Sequence, residues 1–223
     1  MAQALMDVSS AERVIDSQAP SVLHTLDLLL LYFRSVISQG DYIGESISQL
    51  EHCLQAAHCA RSSGSSDEVV LAALLHDCGQ ILPIETLKAA VSSSSDVQDM
   101  RLFSGISVGR HGHEYIGAQY LEALGFPLTI CELVRDHVIA KRYLTAVEEG
   151  YYANLSDASK KSLEFQGGPF SPTEVTEFEH DPLFKEKVMM RRFDDNAKEV
   201  DKWVPRLESY RDLAVIILSP AKV

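Results

Sequence analysis

No stretch of the sequence comes near the roughly 18 consecutive apolar residues that a membrane-spanning helix needs. The strongest apolar run lies between Leu26 and Phe33 and reads as a buried helix. The amino terminus has no basic region ahead of an apolar one, so no secretory signal is expected, and Ala221-Lys222-Val223 is a poor match to a peroxisomal address. The four cysteines, Cys53, Cys59, Cys78 and Cys131, form no C-x-x-C pair. Neither a zinc knuckle nor a disulfide scaffold is therefore indicated, and a reduced cytoplasmic setting is the simplest expectation. Basic residues are in deficit: 20 Lys and Arg stand against 32 Asp and Glu, for a net charge of −12. Such a surface suits neither nucleic acid nor an anionic membrane, so neither is an expected partner. A small anion in a locally basic pocket is still allowed.

What is present is enough apolar material for one substantial core: 46% of 223 residues are hydrophobic. Two-residue alternation is hard to find, whereas helix start and stop signals recur, and the fold class expected is all-α. Ser46 with Gln49 and Ser65 with Glu68 fit capping boxes, the first opening a helix to about Arg61. His113 to Leu124 is periodic and stops at Gly125, and Thr129 to about Val138 comes next. Ser156 to Phe165 ends at Gly167-Gly168. Ser171-Pro172-x-Glu174 and Asp181-Pro182 each open a helix, the second running to about Trp203. The stretch from Val91 to Arg110 reads as the least structured part of the middle, and residues 1–20 as a loose arm.

The histidines carry the chemistry. His76-Asp77 closes the run Val69-Val70-Leu71-Ala72-Ala73-Leu74-Leu75, where an adjacent imidazole and carboxylate are costly to bury without a partner. A metal ion is such a partner, since it accepts the imidazole nitrogen and offsets the carboxylate charge. His52, His113, His137 and Asp194 each sit in a half-apolar helical setting, and Gly117, one turn after His113, lets another backbone come close. Any one of them alone would be an ordinary core or surface residue. Together with the His-Asp pair they make that account untenable.

The order H…HD…H…H…D, at intervals of 24, 37, 24 and 57 residues, resembles the HD-domain superfamily of metalloenzymes over about residues 42 to 203. The length favours a single domain, expected over residues 21–223, and the resemblance implies that it is a helical bundle around a two-metal site. Asp77 would bridge the ions, with His52, His76 and Asp194 at one and His113 and His137 at the other. His113 is preferred to His111 because His113-Glu114-x-x-Gly117-Ala118 matches the family pattern. His58 falls six residues after His52, about 600° around a helix, and so is expected to be structural or exposed.

Most HD proteins are phosphohydrolases acting on a nucleotide or other phosphate ester, and that activity stays open here. A minority are mixed-valent di-iron oxygenases, and three segments resemble the PhnZ-type organophosphonate oxygenases among them. Tyr42-Ile43-Gly44-Glu45 looks like their lid: Tyr42 would ligate the second iron at rest and leave when substrate binds, and Glu45 would meet the substrate's amino group. His137-Val138-x-x-Lys141-Arg142-Tyr143-Leu144 places Lys141 one turn after a metal ligand, where it would grip a phosphonate. Leu155-Ser156-x-Ala158-Ser159 and Leu163-Glu164-Phe165-Gln166-Gly167-Gly168 point to Ser159 as a phosphonate contact, with Ser162 and Gln166 as further candidates. Arg191, three residues before Asp194, matches the family's phosphonate-binding arginine. Gln80 stands where those proteins commonly have a histidine; it offers an amide donor but no charge. The resemblance implies two iron ions (Fe2+/Fe3+), O2 and an organophosphonate. The implied reaction is C–P cleavage of a 1-hydroxy-2-(amino or trimethylamino)ethylphosphonate to phosphate and glycine or a betaine. Nothing in the sequence speaks to oligomeric state.

Overall fold

The computed structural model describes residues 46–83, 85–86, 99–101 and 107–218. The expected arm, the helix expected between Leu26 and Phe33 and the Tyr42–Glu45 lid lie outside them. The architecture is helical with one small ribbon. Helix α1 is Gln49–Ser62, α2 Asp67–Leu75 and α3 Cys78–Ile81; strands β1 (Asp99–Arg101) and β2 (Ser107–Arg110) come next. Then come α4 (His113–Ala123), α5 (Leu128–Val147), α6 (Tyr151–Asn154), α7 (Asp157–Phe165), α8 (Pro172–Glu179) and α9 (Phe184–Asp195). A 3-10 turn, Leu207–Tyr210, leads into α10, Arg211–Leu218.

Local chemistry explains most boundaries. The box that opens α1 is Ser48 with Glu51, not Ser46 with Gln49: Ser48 accepts from the Glu51 N–H, and the Glu51 carboxylate, a stronger acceptor than an amide, returns to the Ser48 N–H. Helix α2 is capped by Ser66 rather than Ser65. The Ser171–Glu174 box opens α8 as expected. Helix α5 runs nine residues past Val138, because Ala140, Tyr143 and Leu144 continue its buried face. Helix α9 stops at Asp195, well short of Trp203. The segment expected to be least structured holds the ribbon, with Asp99 opposite Arg110, Arg101 opposite Ser107 and a bulge between.

Helix α2 is the centre. Every residue from Val69 to Leu75 is buried, so the helix is apolar all round and packs against α1, α5, α9 and α10. Its C-cap is His76, and Asp77 opens α3, so the His-Asp pair is carried into the core on the innermost helix. Two glycines let α3 reach α4: a Cβ on Gly79 would lie 2.0 Å from the His113 carbonyl oxygen, and one on Gly117 would lie 3.0 Å from the Gly79 nitrogen. That contact puts Asp77 beside His113. A second apolar cluster joins Ala140, Tyr143 and Leu144 to Tyr151, Leu163 and Phe178. Helix α5 therefore spans both clusters, with His137 and Lys141 where they meet. Lys187, fully buried on α9, fixes α9 to α5 through Asp136 at 2.8 Å and also pairs with Asp181. Removing one member of such a buried pair strands the other's charge. No helix among the described residues is long and apolar enough to cross a membrane.

Candidate active site

Four imidazoles and two carboxylates converge where α1, α2, α4, α5 and α9 meet. All six side chains are buried. Each histidine is held from behind by a backbone carbonyl at its Nδ1: His52 by Ala197 at 2.9 Å, His76 by Ala73 at 2.9 Å, His113 by Arg110 at 3.1 Å and His137 by Val134 at 2.7 Å. A carbonyl only accepts, so each Nδ1 is a donor, and any ring in its neutral form turns a bare Nε2 lone pair inward. The Nε2 atoms meet in pairs, His52 with His76 at 3.0 Å and His113 with His137 at 3.3 Å.

Asp77 lies between the pairs with one oxygen toward each. Its Oδ2 is 3.7 Å from His76 Nε2 and 3.9 Å from His52 Nε2; its Oδ1 is 3.3 Å from His113 Nε2 and 3.9 Å from His137 Nε2. Asp194 Oδ1 lies 3.4 Å from His52 Nε2 and accepts no hydrogen bond, while Arg191 holds the other oxygen at 2.7 Å. Two sets of donors thus form, His52 with His76 and Asp194, and Asp77 with His113 and His137. Lone pairs facing at 3 Å repel unless a cation sits between them, and an orphaned buried carboxylate oxygen needs a positive partner. Both defects are met by metal ions, so these residues fit a metal centre. The carbonyls behind the rings are the usual supports that orient such ligands.

The electrostatics agree. Burial pushes the Asp77 carboxyl up, but His76, His113 and His52 outweigh it and hold it well below the usual carboxylate range. Burial is likewise outweighed at Asp194, chiefly by Arg191. Burial, with His76 and His113 adding to it, pushes His137 down to about 3. The centre favours ionised carboxylates and a neutral His137, the forms that bind metal.

A cavity of about 60 Å³ opens from this centre and is lined by Lys141, Ser159, Ser162, Gln166 and Arg191, and by Gln49, Gln80 and Met100, together with Asp77, His113, His137 and Asp194. Every substrate-contact candidate among the described residues therefore reaches one space. Their hydrogen bonds distinguish them. Lys141 is buried and donates to Ser162 Oγ at 3.0 Å; Ser162 in turn donates to the Ser159 carbonyl at 3.1 Å, so its proton is committed to supporting Lys141. Gln80 accepts from the Arg110 N–H at 2.7 Å, which pins β2 to α3 and leaves its amide N–H groups as donors. Gln166 Oε1 is buried without a partner. Arg142 bonds the carbonyl of Gly168 at 2.8 Å and also Glu174, and a Cβ on Gly167 would crowd its guanidinium at 3.4 Å. The Arg142 and Gln166-Gly167-Gly168 signatures are therefore two halves of one brace. His111 is exposed and His58 half-buried, both outside the centre.

Several participants carried no sequence signal. Tyr151 accepts from Arg191 Nε at 3.1 Å and donates to Asp195, which also pairs with Arg191. Arg110 donates to the carbonyls of Gly79 and Leu82. Lys198 reaches Ser159.

The model of the HD domain matches residues 50–163, half of the chain. The chain belongs to the HD domain family. Asp194 lies beyond the matched segment and joins the HD centre through α9. Related sequences extend the likeness. An uncharacterized protein of Acanthamoeba polyphaga mimivirus is 39% identical over 182 residues, 81% of this chain and 76% of its own. The (1-hydroxy-2-(trimethylamino)ethyl)phosphonate dioxygenase of Leisingera caerulea, which forms glycine betaine, is 38% identical over 165 residues, 74% and 76%. The hydroxymethylphosphonate dioxygenase of Gimesia maris is 40% identical over 169 residues, 76% and 77%. These relatives place the chain among the HD-domain oxygenases.

Proposed function

We propose that this HD-domain enzyme is a di-iron oxygenase that cleaves the C–P bond of a 1-hydroxyphosphonate bearing an amino or trimethylamino group at C2. The observation that carries the reading is the sharing of one cavity by the two-sided His/Asp centre and by Lys141, Ser159 and Arg191. In this reading His52, His76 and Asp194 would hold one ion, His113 and His137 the other, and Asp77 would serve both. Histidine–carboxylate sets with open positions suit iron. When bound, the metal pair supplies the redox chemistry through which O2 oxidises C1. The reaction balances as R–CH(OH)–PO3H2 + O2 giving R–COOH and H3PO4, with R the aminomethyl or trimethylaminomethyl group.

The chain's own residues bind and orient. Lys141 and Arg191 bring positive charge to the phosphonate, Ser159 and Gln80 add neutral donors, and the buried walls exclude water. The two relatives of named activity differ in the group attached to C1 but share a 1-hydroxyphosphonate, which supports that part of the substrate. The ammonium at C2 rests on the resemblance of Glu45 to a lid carboxylate, and the displaceable ligand on that of Tyr42; both lie outside the described residues. The test is a panel. Turnover per KM should rise from hydroxymethylphosphonate to a C2-ammonium substrate, and equal values would remove the C2 assignment.

Lys141 gives this reading a pH signature. Burial first, and Arg191 second, push its ammonium down to about 7. A bound phosphonate replaces that surround with negative charge and raises the value. Above about pH 7 the free enzyme therefore holds a neutral amine where the complex holds an ammonium, so binding takes up a proton. Affinity should fall as pH rises through this window. Calorimetry in two buffers of different ionisation enthalpy measures the uptake, and proton-neutral binding at pH 8 would show that Lys141 does not face the anion.

A further inference from the structure

The segment after α9 links the metal side of the cavity to its substrate side. Ala197 and Glu199 are both fastened to α1. The Ala197 carbonyl accepts from His52 Nδ1 at 2.9 Å, while Glu199 donates to Gln55 Oε1 at 3.0 Å and accepts from Gln55 Nε2 at 2.7 Å. Lys198 lies between these two fastened residues, and its ammonium crosses to α7, 3.3 Å from both Ser156 Oγ and Ser159 Oγ. Ser156 is the N-cap of α7 and accepts from the Ser159 N–H at 3.2 Å.

The direction of these bonds matters. An ammonium only donates, so Ser159 Oγ is the acceptor and its proton must go elsewhere. No described residue accepts it, and Ser159 lines the cavity. Ser162, one turn on, is the contrast: its proton is spent on the Ser159 carbonyl.

We propose that Lys198 is a positioning residue for the substrate's anion: it occupies the acceptor side of Ser159 and so fixes that hydroxyl as a donor into the cavity. The inference rests on the phosphonate reading of the site. Because Ala197 supports His52, the same short segment sets both the metal ligand and the anion donor.

The experiment is a double-mutant cycle read by binding. 1-Hydroxy-2-aminoethylphosphonate is titrated calorimetrically into oxygen-free, metal-loaded protein: wild type, Lys198→Met, Ser159→Ala and the double variant. Lys198→Met should weaken binding about five- to tenfold, the scale of one hydrogen bond, with metal content and melting temperature unchanged. The double variant should bind no more weakly than Ser159→Ala alone, and Lys198→Arg should recover most of the loss. In turnover the loss should fall on KM. Wild-type binding by Lys198→Met, or losses that multiply in the double variant, would overturn the proposal, the latter by showing that Lys198 acts without Ser159. If wild type ignores 1-hydroxy-2-aminoethylphosphonate, the substrate reading fails first. The same cycle with inorganic phosphate then decides on Lys198, and wild type that binds neither anion ends both.

Discussion

Asp77→Ala should leave a protein that binds one iron or none and turns over no substrate. The expectation comes from the position of the carboxylate. Oδ2 faces His52 and His76, Oδ1 faces His113 and His137, and no other described side chain presents an oxygen to both pairs. Removing it would also leave the inward Nε2 lone pairs without the negative charge that would offset two cations. Loss of a residue behind a metal ligand commonly costs 10- to 100-fold, so loss of the shared ligand should cost more than about 100-fold in turnover. Asp77→Asn is the informative partner, because its single carbonyl oxygen can serve one ion but not two. Metal analysis and helix content, measured on the same samples, separate site loss from unfolding. Two coupled irons retained in Asp77→Ala would remove the bridging role.

The second large effect divides the two basic side chains that line the cavity. Lys141→Ala should raise KM by roughly 10- to 150-fold, the equivalent of about 1.5–3 kcal/mol for a hydrogen bond to a charged group. Iron content should hold, because Lys141 bonds Ser162 and touches no metal-facing oxygen in the hydrogen-bond pattern. Arg191→Ala should do more. Arg191 lines the cavity, yet its guanidinium also holds Asp194 Oδ2 at 2.7 Å and pairs with Asp195 and Tyr151. Its removal frees Asp194 to turn and leaves a cluster of uncompensated acids. The expected outcome is a raised KM together with a fall in bound iron. Arg191→Lys keeps the charge but not the fork and should lose part of each. A variant at Arg191 with full iron and a selective KM defect would show that the bond to Asp194 is incidental.

The residues that gather at the centre were largely legible in the sequence because the signal is local. An imidazole beside a carboxylate at the end of an all-apolar helix announces a buried charge, and the four other settings repeat that conflict along the chain. Gly117 was legible for the same reason, and its partner proved to be Gly79. Capping boxes were readable to within two residues: with serines at 46 and 48, only the Glu51 carboxylate decides between them. The extension of α5 was only partly legible: the match that set Lys141 one turn after His137 already implied helix beyond Val138, and Ala140, Tyr143 and Leu144 carry it to Val147. The supports around Arg191 and Ser159 were not legible at all. Tyr151 meets Arg191 across 40 positions and Lys198 meets Ser159 across 39, and such contacts leave no periodic trace. The ribbon is of this kind too, since Gln80 and Arg110 fix it across 30 positions.

The central claim is that one cavity couples an iron pair to a phosphonate, and oxygen and phosphate measured together test it most directly. Iron-loaded protein is mixed with 1-hydroxy-2-aminoethylphosphonate in air-saturated buffer, and O2 uptake and phosphate release are tracked in the same vessel. One O2 consumed for each phosphate and each glycine formed is the predicted result, with no phosphate released when oxygen is removed. Phosphate release that continues without oxygen, or hydrolysis of phosphate esters with no oxygen uptake on any 1-hydroxyphosphonate, would contradict the account and make the enzyme a hydrolase.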